Sequence, residues 1–294
     1  TNYRVGFWLA VGAAFGFSAK AVFVKLSYQT SGGVDAVTLL ALRMLIAAPA
    51  FGIAAMQTRS AGELTAKQWG TLVIVGLAGY YGASILDFWG LQFISAGLER
   101  LILFTYPSLT LIIGVIFLRE RISRRDIISL SLTYLGIAAA FAHDLEISTD
   151  AKTVWLGGGL VFASSLSYAI YLVGGGKLIG ILGSGRFTAL AMAVATLATL
   201  LHYLFSRPVD DVLSQSWEIY GLAAGMALFS TVIPVFMQSA AIKHIGAARA
   251  SMIGMLGPVA TLAMSWLILR EAVSSWQIAG VALVLIGVAV LGKK

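Results

Sequence analysis

The chain has 294 residues, 59% hydrophobic and 11% charged, with a mean hydropathy of +0.90, whereas a soluble globular domain carries about 25% charged residues. That composition excludes a soluble fold, and the absence of cysteine excludes disulfides and thiolate metal sites. The net charge of +7 then has to be explained by membrane topology and not by a nucleic-acid partner.

A bilayer core about 30 Å thick takes roughly 20 apolar residues per helical crossing. In chain order, apolar runs bounded by charge or by Gly/Ser clusters predict spans over 5–26, 34–57, 68–94, 97–118 and 125–142. The polar segment AHDLEISTDAK (142–152) separates these from runs over 153–173, 185–205, 217–242, 247–269 and 275–292. The expected fold class is an all-α integral membrane protein of ten transmembrane helices. The first run is too long for the apolar core of a cleavable signal, carries Lys20 and Lys25, and lacks a clear small-residue cleavage site.

The fourth and ninth spans end on the same pattern. PSLTLIIGVIFLRE (107–120) and PVATLAMSWLILRE (258–271) share their first proline, their fourth-position threonine and a closing Leu-Arg-Glu, at an offset of 151 (258 − 107). The same offset relates Ile94 to Ile245, Ala96 to Ala247, Ile127 to Ile278 and Gly136 to Gly287. WLAVGAAFGFS from Trp8 and WLGGGLVFASS from Trp155 repeat at a shift of 147, so a four-residue insertion separates the two registers. The expectation is two five-helix repeats, residues 1–146 and 147–294. Because five is odd, the second copy is inverted, a construction that in secondary transporters places the substrate near the midplane. With the amino terminus inside, the cytoplasmic segments hold twelve Lys/Arg against three outside (Lys152, Arg207 and Arg270), which predicts that both termini are cytoplasmic.

Polar residues inside spans are costly in hydrocarbon and mark bundle interiors or water-filled paths. Tyr80, Ser84 and Asp87 share one face of the third span, and the offset of 151 carries Tyr80 to Thr231 and Asp87 to Gln238. Ser164, Tyr168 and Tyr171 share a face of the sixth span, and Tyr106 precedes Pro107 in the fourth. Tyr80, Ser84, Tyr106, Ser164, Tyr168 and Gln238 are the candidate substrate-binding residues, because tyrosine offers an apolar plate with a hydroxyl handle. Asp87 reads as the only carboxylate well inside a span. Lys20 lies at similar depth, and the two form a candidate intramembrane pair that either serves transport or only locks the first span to the third. Arg43 is an alternative partner, and Arg100 reads as close enough to the external surface to snorkel.

Pro107 and Pro258 lack an N–H inside their predicted helices and are candidate hinges or static kinks. Each Arg-Glu pair at 119–120 and 270–271 reads as an interfacial clamp. Gly12 with Gly16, and Gly221 with Gly225, fit close helix packing. The GGGK at 174–177 lacks the remaining residues of a phosphate loop. His143, His202 and His244 have no metal-ligand spacing, and no nucleophile and base are brought together by periodicity, so neither a metal site, a cofactor nor an enzyme is expected.

The ten-helix layout, the two prolines each followed thirteen residues later by a glutamate (Pro107 and Glu120, Pro258 and Glu271), and the turns ISAG (94–97) and IGAA (245–248) resemble the EamA-type members of the drug/metabolite transporter superfamily. The resemblance extends over nearly the whole chain. It implies a bacterial inner-membrane carrier exporting amino acids or similar metabolites, with a central cavity lined by helices 1, 3, 4, 6, 8 and 9. Small-molecule substrate and lipid bilayer are the expected partners, without nucleic acid and without a required oligomer. Facilitated export is the first expectation, because Asp87 neutralised by Lys20 is a poor proton carrier; the alternative is a proton-coupled multidrug or cationic-compound antiporter.

Overall fold

The structure is a computed structural model that describes residues 2–30, 32–57, 64–118, 123–147, 150–245, 250, 253–254 and 256–292. Every regular element among them is helical, as it must be where lipid offers backbone groups no hydrogen-bond partner. The elements are α1 (Tyr3–Gln29), α2 (Ala36–Gln57), α3 (Ala66–Gly90), α4 (Ala96–Leu103), α5 (Tyr106–Leu118), α6 (Arg124–Ile147), α7 (Ala151–Leu182), α8 (Gly185–Ser206), the short α9 (Val209–Leu213), α10 (Trp217–Ile242), α11 (Gly257–Leu269) and α12 (Ser275–Gly292). Eight segments are long and apolar enough to cross a membrane, with α4 and α5 counted together as one; α11 and α12 are shorter apolar helices. The expected ninth run, 247–269, includes residues outside the described set, as do Arg119 and Glu120.

Span ends follow capping chemistry. Thr65 opens α3 with a reciprocal Thr65/Gln68 box, and Ser216 accepts from the Ile219 N–H at the start of α10. The two helices begin 151 residues apart (217 − 66), and each contains a π-helical turn, Leu77–Gly82 and Leu228–Val232, again 151 apart (228 − 77). These two π turns thus share one register of the repeat, whereas a third, Ser265–Leu269 in α11, has no counterpart in α5.

α7 runs on to Leu182, so GGGK lies within a helix and not in a loop. Its small residues let side chains in: a methyl group at Gly175 would meet the Phe187 ring at 2.6 Å. The chain breaks instead at Gly183, whose φ of 75° suits glycine.

α6 and α12 approach closely through glycine. A β-carbon at Gly136 would lie 2.6 Å from the Gly280 carbonyl oxygen, and one at Gly280 would lie 2.6 Å from that of Gly136. Ser129 also donates to the Gly287 carbonyl at 2.6 Å. Close contact through small residues is how helices associate where lipid is as apolar as leucine. Gly12 and Gly16 likewise admit Met237 and Pro234, and Gly225 admits Phe23. Gly221 departs from expectation: among the described residues nothing lies within 4 Å of where its β-carbon would be.

Candidate functional site

Two polar clusters sit in the helix bundle. The first is aromatic. The π turn in α3 widens the helix around Tyr80, and α7 lies alongside it: Ser167 donates to the Ala78 carbonyl and Ser164 to the Ala83 carbonyl, at 2.7 and 2.6 Å. The hydroxyl of Ser164 is therefore committed to joining α7 to α3. Tyr80 and Tyr171 bring their hydroxyls to 3.2 Å. Tyr171 stacks with Tyr168 at 5.5 Å, and Tyr168 meets Tyr106 nearly perpendicularly at 5.2 Å. Tyr80, Tyr106 and Tyr168 are brought together through Tyr171, a residue that sequence reasoning put on the right face but outside the site.

The second cluster is charged. Lys20 of α1 donates to Asp87 Oδ2 of α3 at 2.6 Å, and the same ammonium lies 3.2 Å from Glu99 Oε1 of α4. Asp87 and Glu99 are 1% and 0% exposed. Asp87 is therefore not the only carboxylate deep in a span, as the sequence reading held. Glu99 sits three residues into α4 beside Arg100, a pair of charges that in sequence resembles a membrane edge.

Arg100 does not snorkel outward. Its Nη2 donates to Ser18 at 3.4 Å and its guanidinium lies over the Phe104 ring at 5.2 Å. Arg43 of α2 donates through Nε to Thr231 Oγ1 at 3.0 Å, over the Phe88 ring, and Thr231 lies in the π turn of α10. Ser84 and Gln238 are half-buried on α3 and α10. Among the described residues, no hydrogen bond joins either of them to the two clusters.

The prolines stand at helix starts. α4 ends at Leu103, Phe104 and Thr105 form a turn, and Pro107 is the second residue of α5; Pro258 is the second residue of α11. In a first turn the missing N–H leaves nothing unpaired, so the break precedes proline where an interior kink was expected.

Glu271 is not clamped to Arg270, which is exposed and left-handed at φ 55°. Its carboxylate accepts the Ala96 N–H at 3.2 Å, capping α4, while Asp144 accepts from Ser95 at 3.2 Å and from Gln277 at 3.2 Å. The LRE of one copy thus caps the helix that follows the ISAG turn of the other. Glu271→Ala is expected to lower stability by about 0.5–2 kcal/mol, the range of a lost helix cap, and Glu271→Gln by less. Melting of the detergent-solubilised variants measures both.

A cavity of about 330 Å³ is lined by Lys25, Tyr28, Gln29, Val34, Leu91 and Gln92. It lies at the carboxyl ends of α1 and α3, and none of Tyr80, Tyr106, Tyr168 and Tyr171 lines it. Among the described residues no group of acidic or histidine side chains has the arrangement of a metal site.

The model of the EamA-like transporter family matches this chain twice, over residues 4–142 and 155–293. The chain belongs to the EamA-like transporter family. An uncharacterized transporter from Bacillus subtilis, YcbK, is 30% identical over 272 residues, covering 90% of this chain and 85% of its own length. A second from the same organism, YyaM, is 25% identical over 286 residues, covering 97% and 90%. An uncharacterized transporter from Archaeoglobus fulgidus is 26% identical, covering 77% and 80%. A solved crystal structure shares the fold at a TM-score of 0.63 and 17% identity, covering 97% of this chain and 96% of that one. This EamA-like chain is a multi-pass membrane transporter and not an enzyme.

Proposed function

We propose that the protein exports amino acids or related small metabolites across a bacterial inner membrane by alternating access. The twofold family match and the common 151-residue register of α3 and α10 support ten spans in two inverted five-helix repeats, bounded as 1–146 and 147–294, with both termini cytoplasmic. The observation that carries the reading is the convergence of Tyr80, Tyr106, Tyr168 and Tyr171 from α3, α5 and α7. Four phenol rings provide apolar faces for a side chain and hydroxyls for a polar head, with few directional contacts to discriminate among solutes. Ser84 and Gln238 belong to the same proposal as half-buried polar groups near the path, and Pro107 and Pro258 as hinges at the starts of α5 and α11.

The test is uptake of radiolabelled amino acids into proteoliposomes. Tyr168→Ala is expected to reduce transport roughly tenfold, the effect of losing about 1.4 kcal/mol of aromatic contact, with the folded fraction unchanged. Undiminished transport in the variant counts against the tyrosine cluster.

The expectation of facilitated export rests on a single carboxylate neutralised by lysine. Glu99 removes that premise, because one ammonium now stands between two carboxylates. That surplus favours the second reading, a proton-coupled antiporter of cationic compounds, which uptake of cationic drugs only under a proton gradient would establish.

A further inference from the structure

Glu99 is fully buried, with the Lys20 ammonium at 3.2 Å and the Asp87 side chain within hydrogen-bonding reach, a contact that two carboxyl groups make only when one of them holds a proton. A carboxylate held in that way is costly in hydrocarbon, whereas a protonated carboxyl is not. The charges that face it are Lys20 and Lys25 from α1, Asp87 from α3 and its own neighbour Arg100. Asp144 and Glu271 act on Lys25, Tyr106 and Tyr168 on Arg100, and Arg43 of α2 acts on Asp87.

Asp87 Oδ1 and Arg43 Nη1 are buried as well. These belong to oppositely charged groups that interact electrostatically but form no ion pair in this arrangement. Lys20 holds Asp87 in its place, while Arg43 is held by Thr231 in the other half of the chain.

We propose that Glu99 carries the proton that drives transport, and that its ionisation moves Lys20 from Asp87 to Glu99 and so frees Asp87 to draw Arg43 off Thr231. The inference rests on the carrier reading above. We assign the arrangement observed, with Lys20 paired to Asp87 and Arg43 tying α2 to the π turn of α10, to the state in which Glu99 holds its proton. When Glu99 loses its proton to water on one side of the membrane, its new negative charge attracts the shared ammonium. Asp87 then pairs with Arg43, and the contact between the halves at Thr231 opens. Reprotonation from the other side restores the first state. Each cycle carries one proton across, breaks and reforms only the O–H bond of Glu99, and needs no other reactant.

The experiment uses the full chain in proteoliposomes, a mixture of radiolabelled amino acids, and an imposed pH gradient, with Glu99→Gln and Glu99→Asp beside the wild type. The amide keeps the shape of the neutral carboxyl, so Glu99→Gln retains the fold. The expected result is gradient-driven accumulation by the wild type that falls about tenfold or more in Glu99→Gln, with solute-for-solute exchange retained. Glu99→Asp keeps the gradient response with a displaced pH profile. A wild type indifferent to the gradient, or a Glu99→Gln variant that still responds to it, overturns the proposal while leaving the carrier reading standing. Infrared spectroscopy of the same proteins is a second arm that needs no solute. A carboxyl carbonyl band present in the wild type and lost in Glu99→Gln supports the buried proton, and its absence overturns it. If no amino acid moves under any condition, the export reading fails, and the infrared arm still decides Glu99.

Discussion

Lys20→Ala is expected to destabilise the protein by about 3–5 kcal/mol, the cost of leaving a buried charge uncompensated, and to be the most damaging single change in the charged cluster. The reason is that Lys20 neutralises the buried Asp87 carboxylate and also lies 3.2 Å from the Glu99 carboxyl. Lys20 has 16% of its side chain exposed, whereas Asp87 and Glu99 have almost none, so neither acid gains water when the lysine is lost. Removing the acids in turn distinguishes this account from simple loss of packing. Lys20→Ala combined with Asp87→Asn recovers most of the lost stability, because the closer of the two pairs, at 2.6 Å, is removed from both sides. The melting temperature and the yield of monodisperse protein, measured across that cycle, check the result. Equal destabilisation of single and double variants would mean that Lys20 matters for its stem and not for its charge.

Gly136→Val is expected to destabilise by about 1–3 kcal/mol or more, the range for forcing extra carbon into a packed interface. The obstacle is backbone: a β-carbon there meets the Gly280 carbonyl oxygen at 2.6 Å, Leu283 at 3.0 Å and Val284 at 3.1 Å. A flexible side chain can turn aside, but a carbonyl moves only if α6 and α12 separate, which also stretches the Ser129 bond to Gly287. Gly159, with nothing within 4 Å of its β-carbon position, is the control. Gly159→Val should shift the melting temperature by a small fraction of the Gly136→Val effect. If both variants melt alike, the close approach of the two helices is not what holds them.

How much of this was legible in the sequence depends on whether the signal was periodic or local. The all-helical membrane character is a property of composition, and the family was carried by a repeated pattern that survives in both copies. Local departures were harder. α7 absorbs GGGK because glycine inside a membrane helix costs less than its frequency in loops suggests, once Val75 and Phe187 fill the space beside it. Nothing in the spacing of hydrophobic residues marks a π turn, yet two of them shape the surroundings of Tyr80 and Thr231. Glu99 was hidden by its neighbour: beside Arg100 and close after the ISAG turn, it looks like a membrane boundary. Only the fold turns the ion pair at α1 and α3 toward it. The partner of Glu271 was equally out of reach, since a cap for Ala96 lies 175 residues away in the chain.

A π turn amounts to one extra residue inserted into a helix, and Leu77–Gly82 and Leu228–Val232 carry that insertion at the same point. Two separate insertions at one register are a less economical history than a single one copied with its helix. A single insertion copied along with its helix accounts for both turns. The two turns differ in sequence, LAGYYG against LFSTV, so the shared backbone shape does not depend on shared side chains. Deleting one residue from each turn asks what that inherited shape is for.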